Sequence, residues 1–329
     1  MAEMFELGTA KVARGSVGTG YIDSAYLRDG TRVRIPLVIV HGAAAGPVLW
    51  VGSTVHGREI PGCEVIRRLT REQLRPEAVR GTVVAAPVQH PVAFLASTRL
   101  TEHDGVNMNR VFPGNRKGTL TERIAYDLFH EGILRADAVV DIHSNAIGAV
   151  NFTIVRTART GPPWDAQWKL ADAFGLTVAC GPVGELGLSG TLTDAALDAG
   201  KPALTIELSG GYTWEEPSVR AGLTGVLNVM KTLGMLGGAP EPQSEVQVIP
   251  ERLTNRCYLT CEKGGLVRPL RPLGAQVRRG EPVVTLYDLF GNLLETVHSP
   301  IDGWVITYPL AGNRTAVSGD NVAFVFGVS

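Results

Sequence analysis

Residues 48–66 read VLWVGSTVHGREIPGCEVI. Val48-Leu-Trp-Val is a short apolar run of the kind that parallel sheets bury on both faces. Pro61 suits the first position of a helix, and Val65, Ile66 and Leu69 fall on one face of the helix it would open. The same alternation recurs from Pro36 to about Gly238. Val83-Val-Ala-Ala, Ala138-Val-Val-Asp-Ile and Ala203-Leu-Thr-Ile-Glu-Leu read as further buried strands. Helical patterns separate them. One opens at Thr119-x-x-Glu122, a capping box, and continues through Ile124, Leu128 and Phe129. Another carries Trp164, Trp168 and Ala171, and a last one carries Val219, Leu223, Val226 and Met230. Strands alternating with helices predict an α/β domain built on a largely parallel sheet.

Outside this stretch the texture changes. Residues 1–36 alternate short apolar and polar stretches with many glycines and predict small strands and turns. Gly237-Gly-Ala-Pro-Glu-Pro-Gln-Ser is a Gly/Pro-rich linker. Beyond it, residues 250–329 show short β-type runs at Leu266-Val, Pro282-Val-Val-Thr-Leu-Tyr, Trp304-Val-Ile and Val322-Ala-Phe-Val-Phe. The expected organisation is therefore an N-terminal β segment (1–36), a catalytic domain (37–240) and a small all-β domain (250–329). The tail resembles the barrel-sandwich fold of biotinyl and lipoyl carrier domains in its Gly280-Glu-Pro-Val turn, its Ser299-Pro-Ile-Asp-Gly-Trp-Val segment and its Ser318-Gly-Asp-Asn-Val-Ala turn. Carrier domains present a modified lysine on the hairpin between the first two of these. Here that stretch is Leu289-Phe-Gly-Asn-Leu, without a lysine, so a structural or substrate-gating domain is expected.

The bulk numbers fit an ordinary folded protein. The 329 residues are 44% apolar and 19% charged, with a net charge of −1, which argues against disorder and gives no basic face for a nucleic acid. The N-terminus lacks a basic stretch followed by an apolar one, and no run approaches the ~20 apolar residues of a membrane span. Cys63, Cys180, Cys257 and Cys261 are too dispersed for a disulfide framework. Cys257 and Cys261 have no second Cys/His pair nearby to complete a metal site. A soluble cytoplasmic protein with reduced thiols is expected, its oligomeric state left open.

The chemistry concentrates where the opening strand meets its helix, the place where α/β folds build sites. His56 and Glu59 are three apart across the turn, so both can point at one ion. A catalytic zinc takes three protein ligands and leaves a position for water, and His₂Glu is one such set. His143, ending the strand Ala138-Val-Val-Asp-Ile, supplies the third. Alternation puts Asp141 on the same side of that strand, where it would orient a ligand. Glu207 stands in the otherwise apolar strand Leu204-Thr-Ile-Glu-Leu, where a carboxylate is costly unless it serves a site. Beside a metal it would take the proton of an activated water and pass it to a leaving nitrogen. His41, His90, His103, His130 and His298 stand alone and are not nominated. Asp104 reads as a residue that pins the turn at Asp104-Gly105.

Four motifs together resemble the succinylglutamate desuccinylase/aspartoacylase family, relatives of the zinc carboxypeptidases. They are His56-Gly-Arg-Glu59, Asn107-Met-Asn109-Arg110-Val-Phe-Pro-Gly114, Asp141-Ile-His143 and Thr205-Ile-Glu207, in the family's order over residues 50–210. The resemblance implies a zinc carboxypeptidase-like mixed sheet and one Zn²⁺ per chain. It also implies a clamp on a substrate carboxylate at Arg110, assisted by Asn109, and an oxyanion-stabilising role for Arg99. The expected activity is hydrolysis of the amide of a small N-acyl amino acid to a carboxylic acid and an amine. The wording of the first two motifs is similar to that of acetyl-diaminobutyrate deacetylases. The alternatives are a zinc carboxypeptidase acting on peptides, which would need an open cleft, a non-catalytic carrier or binding module, and a zinc-free sensor.

Overall fold

The computed structural model describes residues 3–157, 159–181, 189–309 and 314–328. The chain opens with a hairpin of β1 (Met4–Leu7) and β2 (Ala10–Ala13), followed by the long antiparallel pair β3 (Ser16–Tyr26) and β4 (Arg32–His41). Next come β5 (Ala44–Ser53), α1 (Pro61–Arg68), β6 (Arg80–Ala86), α2 (Pro91–Ala96), α3 (Leu120–Asp127), β7 (Ala138–Ser144) and β8 (Phe152–Arg156). The unit closes with α4 (Pro162–Phe174), β9 (Thr177–Gly181), α5 (Leu192–Asp198), β10 (Ala203–Leu208), α6 (Glu216–Thr232) and β11 (Arg252–Leu253). Among the described residues nine of these strands form one sheet, in the order β11-β9-β8-β10-β7-β5-β6-β4-β3. Pairing is parallel from β6 through β5 and β7 to β10, and again from β8 through β9 to β11. It is antiparallel at β8–β10, β4–β6 and β3–β4. The sheet is thus mixed and largely parallel, as the strand–helix alternation predicts.

Helices cover both faces of its centre, which is why β6, β7, β8, β9 and β10 are buried almost throughout, whereas the edge pair β3 and β4 alternates. On one face Val65 and Ile66 of α1, Leu170 and Phe174 of α4, and Val219, Val226 and Met230 of α6 pack on Val51, Val140, Ile142 and Ile206. On the other, Val92 of α2, Ile124 of α3 and Leu192 and Ala196 of α5 pack with Trp50, Val84 and Val139. Gly225 lets α4 and α6 close together, since a Cβ there would lie 2.1 Å from the Phe174 ring. The predicted helix starts are real. Pro61 is the first residue of α1, and at α3 Thr119 and Glu122 make both bonds of the capping box.

After β11 the chain builds two four-stranded antiparallel sheets. One has the order β12-β19-β17-β14, from Asn255–Thr260 (β12), Gln276–Val277 (β14), Gly303–Thr307 (β17) and Asn321–Gly327 (β19). The other has the order β16-β15-β13-β18, from Gly265–Pro269 (β13), Pro282–Tyr287 (β15), Leu293–His298 (β16) and Thr315–Ala316 (β18). They share a core of their own, with Val283, Val284, Leu286, Val305 and Val325 at its centre. A second apolar cluster joins this part to the main sheet. Phe152, Ile154 and Ala179 of β8 and β9 pack on Ile306 and Phe326, and the Phe152 and Phe326 rings meet edge to face at 5.6 Å. All four cysteines are free, and no described helix is long and apolar enough to cross a membrane.

Candidate active site

Strands β5, β7 and β10 end side by side. Because β7 and β10 run parallel, His143 and Glu207 are register partners on adjacent strands. From β5 the chain makes a strained turn. Thr54 has φ +59°, a left-handed conformation that a β-branched residue rarely adopts. It is held there by its own hydroxyl, which donates to Glu59 O at 3.0 Å, and by its carbonyl, which accepts from His90 N at 3.1 Å. Gly57 packs on the end of α2, where a Cβ would come within 1.9 Å of Ala93 O. Its N–H donates to Thr98 O at 2.9 Å, and Arg58 Nε donates to Ser97 O at 2.9 Å. The turn that carries His56 and Glu59 therefore also positions the loop that carries Arg99.

The three proposed ligands converge. Ligand atoms of His56, Glu59 and His143 all lie within 4.8 Å of one another, and all three residues are buried. His56 Nδ1 is 2.7 Å from Glu59 Oε1, and His143 Nδ1 is 2.7 Å from Glu59 Oε2. The far nitrogens face acceptors: His56 Nε2 is 3.1 Å from Asn107 Oδ1, and His143 Nε2 is 2.9 Å from Asp141 Oδ2. A proton on each Nε2 satisfies those acceptors and leaves both Nδ1 lone pairs pointing inward. Asp141 is itself fixed, since Gln89 Nε2 donates to its Oδ1 at 2.7 Å while Gln89 Oε1 accepts from Trp50 Nε1 at 3.1 Å.

Charge balance favours a cation at this point. Burial works to raise the Glu59 carboxyl, but His56 and His143 outweigh it and hold it well below its ordinary value. Burial likewise works against charge on His143, yet Asp141 and Glu59 outweigh it and raise that imidazole well above its usual range. His56 is lowered, burial there exceeding the pull of Glu59. Two buried carboxylates need compensating positive charge, which a proton on His143 or a cation held between the two Nδ1 atoms supplies, and two nitrogens with one carboxylate are a zinc-type donor set. The residues present fit that ion. Burial also pushes Glu207 up to about 7, with His143 opposing and Glu59 reinforcing the shift.

His56, Glu59, His143 and Glu207 line a cavity of about 600 Å³ together with Arg99, Asn109 and Arg110. Arg99 Nη1 lies 3.3 Å from Glu59 Oε1 and 3.4 Å from His56 Nδ1, so the loop arginine does reach the cluster. Arg110 Nη1 donates to Asn109 O at 2.6 Å. Asn109 is more of a brace than a free hand: its Oδ1 accepts from Leu192 N at 2.9 Å, and its Nδ2 stands 3.4 Å from His143 Nε2. Asp104 pins its turn as expected, accepting from Val106 N at 3.1 Å and Thr121 N at 2.8 Å. Four participants had not been nominated: Gln89, Asn107, Arg156 and Arg256. Arg156 ends the apolar run of β8 and was open to the same reasoning as Glu207. Arg256 comes from the C-terminal sheets, with Tyr258, Phe324 and Phe326, and these form one wall of the cavity.

The sheet, its flanking helices and the cluster at its strand ends define a zinc carboxypeptidase-like α/β protein with C-terminal antiparallel sheets. The chain belongs to the succinylglutamate desuccinylase/aspartoacylase family, whose catalytic-domain profile matches residues 45–233. It is 29% identical to the N-alpha-acetyl-L-2,4-diaminobutyric acid deacetylase of Halomonas elongata over 262 residues, 78% of this chain and 75% of that one. The product-bound structure of the ectoine utilization protein EutE (DoeB) from Ruegeria pomeroyi superimposes with a TM-score of 0.86 at 26% identity, over 97% of this chain and 98% of that one. A succinylglutamate desuccinylase/aspartoacylase structure from Rhodobacter sphaeroides gives a TM-score of 0.83 at 27% identity, over 95% and 96%.

Proposed function

We propose that this chain is a zinc-dependent hydrolase that cleaves the amide bond of small N-acyl amino acids, with His56, Glu59 and His143 as the metal ligands. The observation that carries the reading is the inward convergence of both Nδ1 atoms on Glu59, with Asp141 and Asn107 accepting from the outward nitrogens. The chemistry that zinc supplies when bound is Lewis acidity, toward the amide carbonyl and toward water. Glu207 stands beside His143 and holds the proton removed from the attacking water, then delivers it to the leaving nitrogen. Its raised carboxyl, about 7, suits a group that must take and return a proton near neutrality. Arg99 donates to the oxygen of the scissile carbonyl as negative charge develops there. Arg110 grips the substrate carboxylate, and Asn109 fixes the backbone from which Arg110 projects.

The wall supplied by Tyr258, Phe324 and Phe326 supports a small acyl amino acid over a peptide, because it bounds the same cavity that the ligand set lines. The deacylases among the relatives support the same reaction class. A panel of N-acetyl, N-succinyl and N-formyl amino acids, assayed for amine release by the zinc-loaded protein, tests the proposal. Release from at least one member is expected. Cleavage of peptides from their C-terminus with none of the N-acyl amino acids touched would overturn it in favour of a carboxypeptidase.

A further inference from the structure

The C-terminal sheets also reach the site just beyond the end of β7. Asn145 follows that strand directly, its N–H donating to Leu208 O at 2.7 Å, and it lines the same cavity as the ligand set. Its side-chain oxygen is committed twice. Oδ1 accepts from Ala146 N at 2.9 Å and from the hydroxyl of Thr307, on β17, at 3.1 Å. Turning the amide over would set its NH₂ against the Ala146 N–H, donor against donor, so the network fixes its orientation. Among the described residues nothing accepts from Nδ2, and that atom is not buried. As a brace between β7 and the C-terminal sheets, Asn145 needs only its oxygen. The amide donors are left for whatever occupies the cavity.

Strand register tells which part of a substrate lies there. His143 pairs with Glu207 and Ser144 with Leu208, so Asn145 stands just past Glu207 in the direction in which β10 runs. Strand β8 runs the other way: Phe152 pairs with Glu207 and Ile154 with Thr205, which puts Arg156 on the opposite side of Glu207. Arg110 belongs to that opposite side too. Its neighbour Asn109 accepts from Leu192 N at 2.9 Å, and Arg156 Nε approaches Asp194 Oδ1 at 2.8 Å, both in the first turn of α5. An acyl amino acid held at its carboxylate by Arg110, with its amide at the ligand set and Glu207, therefore extends its acyl chain toward Asn145.

We propose that Asn145 is a specificity-determining residue for the acyl group, its Nδ2 donating to a neutral acceptor oxygen carried on the acyl chain beyond the scissile carbonyl. The favoured acyl groups are then hydroxy-, alkoxy- or oxo-acyl chains. The proposal rests on the deacylase reading and its Arg110 clamp, which set the end of the substrate that meets Asn145. A neutral amide offers a directional bond without a charge, so it separates an oxygen from a methylene of equal size. Thr307 holds the amide in the donating orientation, which gives the C-terminal sheets a part in substrate choice.

N-methoxyacetyl-L-alanine and N-butyryl-L-alanine differ by one oxygen in place of one methylene. Calorimetry on the zinc-loaded Glu207→Gln protein, which should bind both without turning them over, reads their ratio. The methoxyacetyl ligand should bind about three- to tenfold more tightly, the scale of one neutral hydrogen bond. Adding Asn145→Asp keeps an acceptor for Ala146 and Thr307 but removes the donor, and should bring the ratio to one or below. Asn145→Leu should also erase the preference, whereas Thr307→Val, which frees the amide to turn, should keep part of it. Equal affinities in the Asn145 form, a preference for the butyryl ligand, or no binding of either would overturn the assignment. So would a ratio unchanged in Asn145→Asp with both ligands weakened alike in Asn145→Leu, the mark of a brace alone. The contrast between ligands on the Asn145 form stands even if a variant fails to fold. Preference in binding without amide cleavage by the unsubstituted protein would overturn the deacylase reading and leave the donor. Cleavage without preference would do the reverse.

Discussion

Replacing Asp141 by Asn is a change of one oxygen for one nitrogen, and the surrounding hydrogen bonds leave no good orientation for it. Asp141 is 1% exposed and accepts two bonds, from His143 Nε2 at 2.9 Å and from Gln89 Nε2 at 2.7 Å. If the new amide keeps its oxygen toward His143, its NH₂ meets the NH₂ of Gln89, donor against donor. Gln89 cannot turn to relieve this, because its oxygen is committed to Trp50 Nε1 at 3.1 Å. If the amide turns the other way, its NH₂ faces His143 Nε2, which must then accept and move its proton to Nδ1, the atom needed for the metal. Either way the inner nitrogen loses basicity or the correct tautomer. Loss of such an outer partner weakens metal binding by about 10–100-fold, or about 1.4–2.7 kcal/mol. Competition against a fluorescent zinc chelator at pH 7.5 measures the shift directly. A zinc affinity within threefold of the parent protein would refute the assignment of Asp141 as the residue that orients His143, and with it the Nδ1 ligation.

Further outcomes follow from other residues. Glu207→Gln should retain zinc and lose about 10²–10⁴-fold in kcat, measured by amine release; near-normal kcat would remove Glu207 from proton transfer. His90 is 0% exposed, and burial pushes its imidazole down to about 4 against the pull of Asp104. The unfolded chain therefore binds a proton below about pH 6.5 that the fold refuses, so stability falls from there down to about pH 4 and levels off below. The full loss is about 3 kcal/mol. Urea titrations of metal-free protein at pH 7.5 and 4.5 should show this loss shrinking in His90→Asn, and an unchanged loss would exclude His90 as its source. Thr119→Ala removes the side-chain half of the α3 capping box and should cost about 1 kcal/mol. A change below about 0.3 kcal/mol would mean that α3 is held by packing alone.

What could be read from the sequence follows a physical division. His56, Glu59, His143 and Glu207 are costly residues at the ends of apolar strands, and cost of that kind leaves a local signature. Parallel pairing then explains why residues 64 positions apart, His143 and Glu207, meet in register. Arg156 carries the same signature at the end of β8 and shows how far that reasoning extends. Gln89 and Asn107 carry none, because an amide costs little in a loop and its role is set by partners distant in sequence. Arg256 was hidden for another reason: its strand belongs to the C-terminal sheets, and the apolar junction that includes Phe152 and Phe326 brings it to the cavity. Strands β8, β9 and β11 were missed because they are short, and β11 joins the main sheet across the linker. The capping box and Pro61 were legible because helix starts are decided by neighbours within one turn.

Counting zinc by mass spectrometry in the purified protein and in His143→Ala tests the proposal at its centre. About one zinc per chain should be found in the first, falling below about a tenth in the second, since a three-ligand site tolerates no missing donor. Zinc retained in full by His143→Ala, or protein that takes up no zinc when it is supplied, would contradict the assignment of His56, Glu59 and His143 as a metal centre.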